Sequence, residues 1–176
     1  YAGVNAQSKN DFLKEAEKAF ELKNYHGALV YYDEVLAFDR TDASIMYKTA
    51  ESARLYNAYG YAVSKYHTLI DTLKNNEYPD AVFRLGEMYH KLGRYDDALI
   101  YYNQYLSEYS NSNEQLTADA RKNISSVTKA KTLSQNPDPN YLVELMGEDI
   151  NSLDADFGAS DIQGTMYYSS MKFESD

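Results

Sequence analysis

The sequence has no cysteine and no tryptophan, and only three of its 176 residues are proline. The lack of cysteine excludes disulfide bonds, thiol catalysis and cysteine-ligated zinc within this chain. It leaves the cellular compartment open, because proteins of every compartment tolerate the absence of cysteine. The sequence also has no apolar run that approaches the ~18 consecutive residues typical of a transmembrane helix.

Positive charge is scarce, above all towards the C-terminal end. The formal net charge is −10. Residues 134–176 contain nine acidic residues and a single basic one, Lys172, whereas residues 1–133 carry 18 acidic and 16 basic residues. Nucleic-acid binding requires a basic face, and adsorption to anionic lipid requires a basic cluster. We therefore expect no nucleic-acid partner, and we expect any membrane association to be indirect.

Motifs that carry catalysis are also missing. The chain lacks a Gly-x-Ser-x-Gly nucleophile motif, a glycine-rich phosphate loop and a His-Glu-x-x-His zinc motif. Its histidines, His26, His67 and His90, are too far apart and too irregularly placed to suggest a shared metal site. The acidic run 149–156 lacks the glycine and the terminal glutamate of a calcium loop. We predict no catalytic residue, no cofactor and no metal, and hence a protein that is not an enzyme.

What the sequence does contain is a pattern that occurs three times. Each copy has a small residue, an alanine twelve residues later and a tyrosine four residues after that. The sets are Ala16, Ala28 and Tyr32, then Ala50, Ala62 and Tyr66, then Gly86, Ala98 and Tyr102. The second copy follows the first by 34 residues and the third follows the second by 36. Such a period is typical of the tetratricopeptide repeat, a helix–turn–helix unit that stacks into a superhelix.

The repeated residue types fit a stack of closely crossing helices. The small residue lies midway along each first helix, where a larger side chain would hold the second helix away, and the tyrosine fills the space between neighbouring helices. Turn signals, among them the pair Lys23-Asn24, then Asn57 and Gly93, fall where the chain must turn. We therefore predict an all-α fold of three repeats over residues 9–112, followed by one amphipathic capping helix from Glu114 to about Leu133.

Repeat arrays of this kind present a concave surface to a partner, and the first helices would line it. Lys14, Lys48 and Arg84 recur at one position, and a glutamate follows each three residues later. These pairs could form a solvated, self-paired face, or a polar ladder that binds an extended partner segment. A clamp for a C-terminal carboxylate is disfavoured, because glutamates occupy positions that would need donors. The predicted partner-binding residues are Leu13, Lys14, Glu17, Phe20, Tyr47, Lys48, Glu51, Arg54, Phe83, Arg84, Glu87 and His90.

After the capping helix the helical periodicity of the sequence ends. Pro137 and Pro139 enforce an extended chain, and 165–170 is a β-prone run that follows a glycine. The stretches 146–152, 156–159 and 167–170 read Met-Gly-Glu-Asp-Ile-Asn-Ser, Asp-Phe-Gly-Ala and Tyr-Tyr-Ser-Ser. Together they resemble the start of the β-propeller in periplasmic proteins of Bacteroidota that join tetratricopeptide repeats, a propeller and an OmpA-like domain. The resemblance departs at Gly158-Ala159, where a proline is frequent, and at Met171, where a basic residue is usual.

This resemblance implies a function as well as an architecture. Members of that family include a component of the type IX secretion and gliding machinery. By resemblance, the chain is a non-catalytic scaffold at the periplasmic side of the outer membrane. It would bind outer-membrane, secretion or gliding proteins and tether them to the cell wall, with peptidoglycan bound by a C-terminal domain beyond this sequence. The alternative is a recognition or regulatory part of an envelope enzyme whose catalytic domain lies outside the sequence.

The repeat pattern and the resemblance together divide the chain into three parts. Residues 1–8 would form a leader, 9–133 the repeat domain with its capping helix, and 134–176 a linker and the start of the propeller. The leader has a small-x-small pattern before Gln7. This pattern either marks a signal-peptidase site, with Gln7 as the first residue of the mature protein, or belongs to a disordered leader without further function. We expect the tail to run extended along the helices or to be ordered by a partner, since the pairing partners of its β-strand would lie in later sequence. Its predicted anchors are Tyr141, Leu142, Leu145, Phe157 and Tyr167.

Overall fold

The computed structural model of the chain describes residues 8–74, 77–136 and 156–170. The chain divides into two compact units, Tyr1–Asn136 and Pro137–Asp176, which are described separately below. In the described part of the first unit the chain is helical, and in that of the second it forms a β-hairpin. No helix in these described ranges is both long enough and apolar enough to cross a bilayer.

The described part of the first unit contains seven α-helices, most of them joined by short turns. Each helix packs mainly against the next one in sequence, from α1 on α2 through to α6 on α7. The helices are α1 (Lys9–Glu21), α2 (Tyr25–Phe38), α3 (Ala43–Leu55), α4 (Tyr59–His67), α5 (Asp80–Lys91), α6 (Tyr95–Glu108) and α7 (Glu114–Gln135). Three helix pairs and a seventh helix confirm the predicted all-α repeat fold, and α7 extends two residues beyond the predicted end at Leu133.

Short polar side chains fix where four of these helices begin. Ser8 and Asp11 form a reciprocal capping box at the start of α1. Asn24, Asp42 and Asn113 each accept a hydrogen bond from a backbone N–H in the first turn of α2, α3 and α7, at 3.0 to 3.2 Å. These bonds satisfy N–H groups that have no partner within the helix, which explains the boundaries from local sequence alone.

The turns inside the three repeats have the same backbone geometry. Lys23, Asn57 and Gly93 all have positive φ, at 59°, 66° and 69°. In each turn the next residue donates its N–H to the carbonyl five residues earlier, at 2.9 Å. This bond pattern closes the C-terminal end of the first helix and reverses the chain within three residues. The predicted turn positions are therefore confirmed, and only Gly93 adopts the left-handed conformation without a Cβ penalty.

The core contains the repeated small residues and tyrosines as predicted. Ala16, Ala50, Ala28, Ala62 and Ala98 are fully buried, and the three repeat tyrosines are at most 1% exposed. Gly86, also buried, lies at a close crossing: a Cβ atom there would lie 2.9 Å from Cδ1 of Tyr102. Close approach of the first helix to the second thus depends on the small side chain, and in the third repeat it requires glycine.

The junction between the second and third repeats contains a feature that the periodicity did not predict. After α4 the chain continues as a π-helical turn, Thr68–Thr72, in which the Leu73 N–H bonds the Thr68 carbonyl at 2.9 Å. The 36-residue spacing between the second and third copies includes this turn and the longer connection that follows it. That connection brings Tyr78, which precedes α5, towards the first helices.

The described part of the second unit is a two-stranded antiparallel hairpin. Strand β1 (Asp156–Ile162) pairs with β2 (Thr165–Ser170), with a register irregularity between Phe157 and Ser160. The connecting residues Gln163 and Gly164 both have positive φ, as tight hairpin turns require. The predicted strand 165–170 is confirmed, but the expectation that its pairing partner lies in later sequence is wrong, because the partner is β1. The predicted anchors Tyr141, Leu142 and Leu145 lie outside the described residues; Phe157 lies in β1 and Tyr167 in β2.

Candidate partner-binding groove

The first helices of the repeats lie side by side and exchange polar contacts. Nζ of Lys48 on α3 lies 2.5 Å from Oε1 of Glu17 on α1. The Tyr47 hydroxyl donates to Oδ2 of Asp80, the first residue of α5, also at 2.5 Å. Side chains of α1, α3 and α5 therefore form one continuous surface, named here the first-helix face. It is the surface on which the sequence places the partner-binding residues.

The charged side chains of this face do not all form the pairs three residues apart that the sequence predicts. Only Arg84 and Glu87 form the predicted contact three residues apart, at 2.7 Å. In the second repeat Lys48 binds Glu17 of the preceding repeat, so that Glu51 pairs instead with both Nε and a terminal nitrogen of Arg54, at 2.9 and 2.7 Å. The face is thus largely self-paired, but one of its ion pairs crosses between repeats. Lys14 is exposed.

A cavity of about 350 Å³ opens between α1 and α3 and is named here the α1–α3 pocket. Five of the predicted partner-binding residues line it: Glu17, Phe20, Tyr47, Lys48 and Glu51. Three further residues complete the lining: Tyr32, Ser44 and Tyr78. The sequence pattern therefore located five of the eight lining residues of this pocket.

Tyr78 is the pocket residue that sequence reasoning missed most clearly. Its ring stacks on that of Tyr47, with the centroids 4.3 Å apart and the planes 14° from parallel. Tyr78 belongs to no repeat position, since it lies in the connection between α4 and α5. The only sequence signal was the extra length between the second and third copies. The stack contributes two packed aromatic rings to a lining that also includes Phe20.

The other half of the face, between α3 and α5, contains two ion pairs within single helices, Arg54–Glu51 and Arg84–Glu87. A second cavity of about 230 Å³ is lined there by Arg54 and Glu87 together with five further residues. The Tyr66 hydroxyl donates to the carboxylate of Glu51, which also holds Arg54. This half is a fixed ion-pair network, whereas the α1–α3 pocket has aromatic walls.

One predicted partner-binding residue belongs to the core and is corrected here. Phe83 is only 1% exposed, and its ring centroid lies 5.6 Å from those of both Tyr102 and Tyr105. It cannot present its side chain to a partner. Leu13, at the equivalent position of the first repeat, is partly buried and packs against the core. His90 is half-buried against Tyr95 and Tyr102.

Burial and neighbouring carboxylates set the protonation of the face. Burial, followed by the hydrogen bond to Asp80, raises the pKa of Tyr47 above its usual value. Burial and the charge of Glu17 raise the pKa of Tyr32 in the same way. Burial lowers the pKa of His90. At neutral pH the tyrosine hydroxyls therefore remain protonated and act as hydrogen-bond donors.

The potential metal ligands of the described ranges do not gather into a metal site. No group of three or more histidine, aspartate and glutamate side chains in those ranges is arranged to hold a metal ion. Burial and hydrogen bonding hold the tyrosines of the face as neutral donors. The chemistry available on this face is binding through aromatic surface and fixed charges.

Comparison with known proteins agrees with this architecture. A model of the tetratricopeptide repeat matches residues 80–112, which comprise the third repeat. No curated protein sequence matches the chain. The structural relatives below are 14 to 20% identical to the chain, so they establish the fold alone.

Three solved structures that resemble this chain contain a bound peptide or binding region of another protein. PcrH in complex with the chaperone-binding region of PopD has a TM-score of 0.60 and 18% identity, over 73% of this chain and 99% of that one. The Yersinia enterocolitica type III secretion chaperone SycD, with a peptide of the translocator YopD, has a TM-score of 0.58 and 14% identity, over 73% and 98%. The first tetratricopeptide domain of Spaghetti (RPAP3), bound to an HSP90 peptide, has a TM-score of 0.58 and 20% identity, over 74% and 99%.

Proposed function

We propose that this chain is a non-catalytic protein-interaction module whose first-helix face holds an extended segment of another protein. The observation that carries the proposal is the α1–α3 pocket, in which five predicted partner-binding residues meet. Aromatic side chains with fixed positions are the residues that most often dominate protein-binding energy. The solved relatives with bound peptides support the same use of the fold, since they share it over almost their whole length.

We propose further that the module acts at the periplasmic side of the outer membrane, in type IX secretion or gliding. The support is the resemblance of residues 146–170 to the start of a propeller in periplasmic proteins of Bacteroidota. The hairpin of β1 and β2 is compatible with such a start, because a propeller blade is built from antiparallel strands. Domains outside this sequence would then bind the cell wall, and this module would bind the outer-membrane, secretion or gliding component.

Site-specific photo-crosslinking in cells tests the binding face. Ser44 and Ser64 are both exposed serines of the second repeat, but only Ser44 lines the α1–α3 pocket. A photoreactive amino acid at Ser44 of the full-length protein should capture a discrete protein partner, and the same group at Ser64 on α4 should not. Equal capture at both positions, or capture at Ser64 alone, would contradict the proposed face.

Cell fractionation tests the proposed location separately. The full-length protein should sediment with the outer membrane and cell wall, and should be accessible to protease only after the outer membrane is opened. Recovery in the cytoplasmic fraction would refute the envelope role and leave the binding face untouched. A catalytic domain elsewhere in the full-length protein would favour the alternative of a recognition part of an envelope enzyme.

A further inference from the structure

The α1–α3 pocket has the size and walls to take one large apolar side chain. Its volume of about 350 Å³ is at the lower end of the ~300–1,000 Å³ typical of small-molecule sites. Its aromatic lining consists of Phe20, the Tyr47–Tyr78 stack and Tyr32, which is only 1% exposed. A groove for a whole helix would need a longer apolar surface than these side chains offer.

The charged groups around the pocket carry a small excess of negative charge, although Arg54 pairs with Glu51. Glu17 and Glu51 line it, and Asp80 accepts the hydrogen bond of its Tyr47 wall. Lys48 is the one basic side chain in the lining. The raised pKa of Tyr32 and Tyr47 reflects burial first and these carboxylates next. A segment with positive charge therefore matches this rim better than an acidic one.

The position of Lys48 shows what kind of group the rim holds. Its ammonium nitrogen lies 2.5 Å from the Glu17 carboxylate and 6.0 Å from the centroid of the Tyr32 ring. A carboxylate beside an aromatic face is a combination that attracts ammonium and guanidinium groups. Because 41% of the Lys48 side chain is exposed, its flexible stem can move aside when another cation takes its place.

From these contacts we infer that the α1–α3 pocket binds an extended protein segment with a large apolar side chain next to a lysine or arginine. The apolar side chain enters between Phe20 and the tyrosine stack. The adjacent cation meets Glu17, and Lys48 competes with it for that carboxylate. This inference rests on the proposed function and specifies the chemistry of its partner.

Three synthetic peptides probe the inference directly: GSKWKSG, GSEWESG and GSKAKSG. Binding to the 176-residue chain is measured by fluorescence anisotropy with labelled peptide. GSKWKSG should bind about tenfold more tightly than either of the others, since it alone has both the anchor and the matching charge. Equal affinity for GSEWESG, equal affinity for GSKAKSG, or no binding of GSKWKSG would overturn the inference.

The sign of the Lys48 effect is the sharpest test. Lys48→Ala removes the internal competitor, so GSKWKSG should bind about threefold more tightly, the size expected for an exposed ion pair. The matched control is Lys14→Ala, at the equivalent position of the first repeat but outside the pocket, which should leave the affinity unchanged. Weaker binding of GSKWKSG after Lys48→Ala would show that Lys48 supports the pocket and does not compete with the cation of the peptide, and the inference would be wrong.

Two further variants change the pocket in different ways, so that the test does not depend on the folding of a single variant. Ser44→Trp should fill the pocket and weaken GSKWKSG binding about tenfold, and Glu17→Gln should weaken it about threefold without adding bulk. Thermal unfolding checks that each variant is folded. Occupancy by a second copy of the chain would appear as a dimer in sedimentation that Ser44→Trp abolishes, and this would overturn the inference.

The outcome can be separated from that of the proposed function. Partner capture at Ser44 in cells together with no binding of GSKWKSG would refute only the inferred chemistry. Binding of GSKWKSG together with no capture at Ser44 would refute only the proposed cellular role.

Discussion

The second and third repeats have the same backbone plan but use equivalent positions differently. Tyr47 of the second repeat reaches the first-helix face and stacks on Tyr78, whereas Phe83, its counterpart, is buried against Tyr102 and Tyr105. The aromatic ring at this repeat position packs against whichever side chains the adjacent segments provide, Tyr78 in one repeat and two core tyrosines in the other. Identical spacing therefore fixes the direction of a side chain but not whether a partner can reach it.

The same contrast holds for charge. Arg84 pairs with Glu87 within its own helix, whereas Lys48 leaves Glu51 and binds Glu17 of the preceding repeat. A lysine has a long flexible stem and a compact charge, so it can reach an adjacent helix as easily as its own. The second repeat thereby becomes part of a pocket, and the third becomes part of an ion-pair network.

Among the variants that compare the two repeats, truncation of Phe83 and of its counterpart Tyr47 should give the largest difference in stability. Phe83→Ala should reduce the free energy of unfolding by about 3–5 kcal/mol, since it leaves a cavity in the core. Tyr47→Ala should reduce it by only about 1 kcal/mol, the value of one hydrogen bond and a partly exposed ring. Urea unfolding of the 176-residue chain measures both. Similar losses would mean that Tyr47 is a core residue as well.

A glycine pair sharpens the account of the helix crossings. Gly86→Leu should cost about 1–3 kcal/mol, because a side chain there collides with the ring of Tyr102. Gly60→Leu, in α4 of the second repeat, should stabilise the chain by about 0.5–1 kcal/mol through helix propensity, because a Cβ atom there meets no atom within 4 Å. Thermal unfolding compares the two, and a stable Gly86→Leu variant would contradict the close crossing.

Exchange of residues at the repeat turns should have a smaller effect. Gly93→Lys should cost about 1 kcal/mol, since a side chain disfavours the left-handed conformation. Lys23→Gly should stabilise the chain by somewhat less, because glycine also increases the entropy of the unfolded state. Opposite signs in chemical unfolding are the expected result. If both variants were destabilised, the lysine side chain would have a role in the turn beyond its backbone conformation.

The smallest effect concerns Tyr101, whose equivalent in the second repeat is Lys65. Burial, followed by the charge of Asp71, raises the pKa of Tyr101 from 10.0 to about 12. Because the folded-state pKa is the higher one, its contribution to stability is complete below pH 10 and is lost as the pH rises from 10 to 12. Tyr101→Phe should therefore make the decline in melting temperature over this range less steep. An unchanged decline would exclude this tyrosine as a source of the alkaline sensitivity.

The elements that the sequence predicted well are those with local or periodic causes. The capping residues, the three turns and the small-residue crossings each depend on a few neighbouring positions, so their pattern is visible without coordinates. The π-helical turn and the position of Tyr78 were missed, because they arise where the period changes from 34 to 36 and no repeat position applies. The burial of Phe83 was missed since Leu13, Tyr47 and Phe83 look alike in a hydrophobic pattern.

By itself the sequence determined the helical repeat, its turns and the face that carries the predicted partner-binding residues, because helix periodicity and close packing restrict residue types at fixed intervals. Only the tertiary structure decided which of those residues form a pocket. The stack of Tyr78 on Tyr47 and the bond from Lys48 to Glu17 join segments more than 30 residues apart. Their partners are chosen by distance and side-chain reach in the folded chain, and the linear pattern does not specify either.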